Sequence, residues 1–236
     1  MDNSRTPYFS VIIPVLHEAS VINSCIKDIF SRHSGSSLEI IVVAADTDDR
    51  TPAAVKHEHV TTLTAATGRA RQMNAGAQAA RGRVLVFLHA DTRLPDAAFP
   101  RMRETVNGSR YVGGAFDLGI DSARPVLKLI ALAGSCRSRL TRIPYGDQCI
   151  FLNRDYFMRI GGFADIPLME DVELMRRIKK NGGRIRIIPE RVLTSPRRWH
   201  QEGILYTTIR NWTLVCLYLL GCRPDRLRRW YRSQGE

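Results

Sequence analysis

The chain has 236 residues, enough for one full α/β core with appendages and too few for two well-developed enzyme domains. With 44% hydrophobic and 25% charged residues and no low-complexity stretch, it is neither disordered nor fibrous. The formal net charge of +12, carried by thirty arginines against five lysines, favours phosphate-bearing partners, because a guanidinium meets phosphate in a planar, bidentate way; a GC-rich coding sequence accounts for the same bias.

In chain order, FSVIIPV (Phe9 to Val15) is a β-branched apolar run, and Glu18 to Arg32 carries helical spacing at Val21, Ile22, Ile26, Ile29 and Phe30. LEIIVVAA (Leu38 to Ala45) repeats the strand signal, apolar on both faces as a covered parallel strand requires. A helix over Ala70 to Ala80, ended by Arg81-Gly82, leads into the strand RVLVFLH (Arg83 to His89). These βα units predict an α/β fold: an open, mostly parallel Rossmann-like sheet flanked by helices, with ligands at the carboxyl ends of the strands.

Beyond Asp91 the pattern predicts a helix near Pro95 to Val106, strands at Gly113 to Leu118 and Ile150 to Leu152, and a helical turn at Arg154 to Ile160. A helix over Asp171 to Lys180 and an alternating strand RIRIIP (Arg184 to Pro189) follow, then an apolar helix over Gly203 to Gly221. On that last helix Leu205, Ile209, Trp212, Cys216 and Leu219 form one stripe that Leu214, Val215, Leu217, Tyr218 and Leu220 widen almost all round; its densest stretch, Thr213 to Leu220, is too short to span a bilayer, and arginines 223, 226, 228, 229 and 232 follow. A contact with an anionic membrane surface, a homodimer contact through this helix, and burial against the main domain with a solvated basic tail all remain open.

The cysteines Cys25, Cys136, Cys149, Cys216 and Cys222 include no C-x-x-C pair and make a poor disulfide framework. The N-terminal stretch has no apolar h-region. A cytoplasmic protein is therefore expected, peripheral at the inner face of the membrane if the C-terminal helix docks there.

Three strands end in polar residues where apolar ones would be expected to continue: Pro14 to Glu18, Asp46 to Asp49, and His89-Ala90-Asp91. Taken in order, SVIIPVLHE, EIIVVAADTDDRT, GRARQMNAGA, VLVFLHADT and Met169-Glu170-Asp171 resemble the family 2 glycosyltransferases of GT-A fold over nearly the whole chain. The resemblance implies a nucleotide-sugar donor, a UDP-sugar first, with a divalent metal, Mg²⁺ or Mn²⁺, and inversion at the sugar. It divides the chain into a GT-A domain over 1–202, with a donor half at about 8–95 and an acceptor half at about 96–202, and a C-terminal extension over 203–236.

His89-Ala90-Asp91 looks like the family's D-x-D metal motif with its first Asp replaced. Asp91 is the expected metal ligand, since a strand-end carboxylate holds a hard ion that bridges the donor diphosphate. A helix-cap Asp is the alternative. His89 and His200 are further ligand candidates, weighed against packing or hydrogen-bonding roles. By the resemblance, Pro14, Glu18, Gly68, Arg69, Arg71 and Asn74 close on the donor. Gly68 precedes a helix N-terminus suited to an anion, although a solvated basic face would equally explain the arginines. Where the family has a base-contacting Asp, this chain has Ala44 or Ala45; Asp46 is the substitute, and Asx turns the alternative.

Gly146, Asp147 and Gln148 resemble the stretch lining the acceptor cleft, though a turn would also explain them, and Arg198-Trp199 resembles an element that approaches phosphate or acceptor. Asp171 is the expected general base, with Glu170 as the neighbour that orients it or the acceptor; first-turn acids complementing a helix dipole are the alternative. The mixture of HAD, GDQ, MED and RRW resembles a bacterial subgroup associated with arsenosugar biosynthesis, which implies a small-molecule acceptor; a lipid-linked one is the other class. A nucleotidyltransferase would need a Gly-rich loop with a basic residue after the first strand, which PVLHE lacks. A nucleotide- or lipid-headgroup-binding module on this core would lack the acidic centre, and nucleic acid is disfavoured as a partner on the same ground.

Overall fold

A computed structural model describes residues 6–45 and 50–231. Asp46, Asp48 and Asp49, and Arg232 in the basic tail, lie outside the described residues.

The first half runs β1 (Phe9–Val15), α1 (Ile22–Arg32), β2 (Leu38–Ala45), α2 (Thr51–Ala54), β3 (Val60–Ala65), α3 (Arg69–Ala79), β4 (Val84–Phe87), β5 (Thr92–Arg93) and α4 (Ala98–Asn107). The second runs β6 (Gly113–Ile120), α5 (Pro125–Thr141), a 3₁₀ turn at Gly146–Gln148, β7 (Phe151–Asn153), α6 (Arg154–Arg159), α7 (Glu170–Lys180), β8 (Ile185–Thr194), α8 (Arg197–Glu202), α9 (Ile204–Leu219) and α10 (Pro224–Arg228). One eight-stranded sheet has the order β3-β2-β1-β4-β7-β6-β8-β5. The β1, β2, β3 and β4 pairings and β6 with β8 are parallel, whereas β7 pairs antiparallel with β4 and β6, and β5 antiparallel with β8.

Alternation along buried strands divides the core into two layers. Val11, Ile13, Ile40 and Val42 face α1 and α4, whose Ile26, Ile29, Phe99 and Met102 cover them. Ile12, Ile41 and Val43 face the opposite way onto α3, α6 and α7 through Met73, Ala77, Phe157 and Leu174. A Cβ at Gly76 would stand 2.5 Å from Ile12 Cγ2, so the missing side chain is what lets α3 lie against β1. Gln72 then ties the strand ends together, its Nε2 donating to Val15 O at 2.7 Å and Val43 O at 2.9 Å.

The open, mostly parallel α/β sheet is as the sequence predicts, with local differences that include the short additional elements α2, β5, α8 and α10. β3 is an additional edge strand whose threonines and sparse apolar residues gave no core signal. α5 is an additional helix that points Leu129, Leu132 and Leu140 outward and so carries no one-sided stripe. β8 continues to Thr194 because a register shift in its pairing with β6 absorbs Pro189 and Glu190. α1 starts at Ile22 rather than Glu18, after a turn in which His17 takes a positive φ of 56°. All five cysteines are free.

Candidate active site

The strand-end loop after β4 is anchored at both ends. Leu88 N donates to Ile12 O at 3.0 Å, β5 pairs Thr92 with Thr194 at the end of β8, and Ser195 N donates to Asp91 O at 3.2 Å. This lashing sets His89 and Asp91 on a cavity wall with Arg197 and Arg198, which open α8. α3 brings Arg69 to the same wall from just past Gly68, whose φ of 135° suits a residue without Cβ. α7 brings Glu170 and Asp171 to it directly after Met169, which turns the chain in the left-handed region at φ 69°. The cavity measures about 200 Å³.

Asp171 is held by main-chain donors: Oδ2 accepts from Gly146 N and Oδ1 from Val172 N, each at 2.7 Å. Gly146 sits tightly between functional groups, since an added Cβ would stand 3.2 Å from His89 Nε2 and 3.8 Å from Asp171 Oδ2. Burial, reinforced by the charge of Asp171, pushes the Glu170 carboxyl up to about 7 against the pull of Arg69, whose Nε stands 4.0 Å from Glu170 Oε1. Burial likewise pushes Asp147 up to about 6, although Arg137 opposes it, and Asp147 Oδ1 has no hydrogen-bond partner. Burial, with the positive charges of Arg69 and Arg198, holds His89 well below its usual range, so its imidazole is neutral.

Four carboxylates, Asp91, Asp147, Glu170 and Asp171, thus share a cavity with Arg69, Arg197 and Arg198. Arg197 is engaged by Glu18, with Nη2 at 2.7 Å from Oε1. Arg198 donates to the Tyr231 hydroxyl, and Trp199 Nε1 is buried without a partner. Pro14 lines a narrow annex beside Arg69, His89 and Glu170. Among the described residues no three His, Cys, Asp or Glu side chains form a ready-made metal cage. A hard divalent ion that shares its shell with donor phosphates needs only one or two carboxylates, and Asp91 with the unpartnered Asp147 Oδ1 offers that oxygen chemistry.

Of the predicted residues, Glu18, Gly68, Arg71, Asn74, Gln148 and His200 are not on the cavity lining. Arg71 pairs with Asp165 at 2.8 Å on the surface, and Asn74 binds the Phe163 main chain in both directions at 2.8 and 2.9 Å. Gln148 is fully buried, donating to Phe116 O at 2.8 Å and Ser138 Oγ at 2.9 Å. His200 is exposed on α8. Conversely, α9 and α10 adjoin the site: Asn211, Leu214, Val215 and Tyr231 line the cavity, and Leu214 and Leu227 pack on Met169 and Val172. An Asn within an apolar helix was the available signal for Asn211. Arg137 lies over the Tyr145 ring at 3.3 Å, and its helix, α5, carried no signal.

Residues 10–164 match the family model described as Glycosyl transferase family 2. The chain belongs to that family. Among solved structures, it is similar to a mannosyltransferase from Pyrobaculum calidifontis in complex with GDP-Man and Mn²⁺ (TM-score 0.61, 22% identity, 80% of this chain and 57% of that one). It is also similar to glucosyl-3-phosphoglycerate synthase from Mycobacterium tuberculosis in complex with Mn²⁺, UDP and phosphoglyceric acid (TM-score 0.62, 16% identity, 91% and 79%). A third is S. aureus TarS in complex with UDP-GlcNAc (TM-score 0.61, 14% identity, 79% and 58%). This family 2 chain therefore spans less than two thirds of the first and third of these proteins. No curated protein sequence matches it. Its α/β fold is of the GT-A type, as family membership and these likenesses show.

Proposed function

We propose that the chain is a glycosyltransferase that moves a sugar from a nucleoside-diphosphate sugar, a UDP-sugar first, to a hydroxyl acceptor with inversion. The observation that carries this reading is that the strand-end Asp91, the guanidinium groups of Arg69 and Arg198, and the fixed carboxylate of Asp171 share one cavity. Arg69 and Arg198 offset the diphosphate charge, and the two similar structures holding Mn²⁺ support a divalent metal, which Asp91 with Asp147 alongside would hold. That ion supplies positive charge to the departing diphosphate.

The acceptor oxygen attacks the anomeric carbon as the bond to the diphosphate oxygen breaks, and the hydroxyl proton passes to Asp171. The Gly146 and Val172 N–H groups fix the orientation of that carboxylate while leaving lone pairs for the proton. Glu170 orients Asp171 or the acceptor, and Trp199 Nε1 and Asn211 Oδ1, both buried without partners on the cavity wall, offer one donor and one acceptor to a bound hydroxyl compound. The acceptor to try first is a small molecule, in keeping with the HAD, GDQ, MED and RRW mixture, with a lipid-linked acceptor second.

The test is nucleoside diphosphate release from UDP- and GDP-sugars with Mg²⁺ or Mn²⁺, with the product anomer read by NMR. Metal-dependent release with an inverted anomeric centre supports the reading. Retention of configuration, or no release from any nucleotide sugar across a panel of hydroxyl acceptors, overturns it.

A further inference from the structure

Helix α9 is apolar on its outward side as well as on part of the side that packs on the protein. Its predicted apolar stripe faces solvent: Leu205 is 74% exposed, Ile209 56%, Trp212 58% and Leu219 50%. At 100° per residue the buried Thr207 and Leu214 lie on the opposite side of the helix. Toward the protein the second half of α9 packs Leu214, Val215, Leu217 and Tyr218, and its middle carries polar groups, with Asn211 on the cavity wall and Arg210 Nη2 at 2.6 Å from Glu202 Oε2. An apolar stripe of this length is unfavourable in water unless something covers it.

Charge and aromatic placement say what covers it. Directly after the apolar end of α9, residues 223–229 carry four arginines against Asp225, all exposed, in a chain of net charge +12. Tyr206, Trp212 and Trp230, aromatics of the kind that settle at lipid headgroups, are also exposed. α9 has 16 residues, and among the described residues no helix is long and apolar enough to cross a membrane. A second copy of the chain would cover the stripe but would set these arginines against another chain of net charge +12, whereas an anionic surface attracts them. We propose that the outward face of α9, with the arginines of α10, docks in the plane of an anionic phospholipid surface. This inference stands on residues outside the transfer chemistry and does not depend on the identity of the donor.

The experiment is flotation of the full chain with vesicles of phosphatidylcholine alone or mixed with phosphatidylglycerol, with Trp quenching by brominated lipid and light scattering for oligomeric state. The chain should float with the anionic vesicles, less so as salt rises, and show bromine quenching that falls in Trp212→Ser. Ile209→Ser with Trp212→Ser should lower partitioning at least about tenfold, and Arg226→Ser or Arg229→Ser about fivefold each on anionic vesicles only, all with unchanged melting temperature. No flotation with anionic vesicles overturns the proposal, as does flotation that ignores the Ile209 and Trp212 substitutions. A lipid-free dimer that these substitutions dissociate, in a chain that does not float, assigns the stripe to a second copy.

Discussion

Replacing Asp171 by Asn separates a base from a helix-capping carboxylate, because the geometry predicts two effects of different size. The native oxygens each accept a main-chain N–H at 2.7 Å, from Gly146 and from Val172. An amide has one acceptor oxygen, so whichever way the substituted side chain turns, its NH₂ faces one of those N–H groups. The loss of one charge-assisted hydrogen bond is worth about 1.5–3 kcal/mol. For a domain of this size that lowers Tm by about 3–12 °C by calorimetry. If Asp171 takes the acceptor proton, kcat for nucleoside diphosphate release falls by about 10²–10⁴ as well, far more than a loss of stability produces below Tm. A variant that melts lower and transfers sugar at near the normal rate refutes the base assignment and returns the role to Glu170 or Asp147. A variant with unchanged melting refutes the hydrogen-bond argument.

Asp91→Asn should abolish metal-dependent donor binding by calorimetry with little change in Tm, since the carboxylate lies on the cavity wall; undiminished Mn²⁺ dependence contradicts the role. Glu170 has a folded-state pKa raised to about 7, so the folded protein binds the extra proton and stability falls as pH rises from about 4 to about 7. Glu170→Gln should therefore raise Tm above pH 7 and leave it nearly unchanged at pH 4, and an equal shift at both pH values rules this out. Gln72→Leu strands the carbonyls of Val15 and Val43, and denaturant unfolding should show a loss of about 2–4 kcal/mol; a loss under about 1 kcal/mol would mean those carbonyls find other partners.

What the sequence made legible follows from burial. β1, β2 and β4 are apolar on both faces because helices cover both, and such runs are unambiguous. β3 and α5 escaped detection for the converse reason: an edge strand of threonines and a helix with apolar residues pointing outward break the periodicity that a one-sided core imposes. At the site, residues on strand-end loops and at the start of α7 stood out because polar groups interrupt apolar runs there. The engagements of Arg71, Asn74 and Gln148 were not legible, since their partners Asp165, Phe163 and Phe116 are 94, 89 and 32 residues away along the chain. The direction of the α9 stripe was also hidden, because periodicity reports that a helix has two faces and not which of them meets the protein.

The most direct measurement is the melting temperature of the full chain with nucleotide sugars in the presence and absence of Mn²⁺. A donor at about 100 times its Kd stabilises the folded state by about 2.7 kcal/mol, which raises Tm by about 5–11 °C in a domain of this size. The account predicts a rise of that order with at least one nucleoside-diphosphate sugar, only with the metal present, and lost in Asp91→Asn. No rise with any nucleotide sugar in the presence of Mn²⁺, or an equal rise in Asp91→Asn, would contradict it.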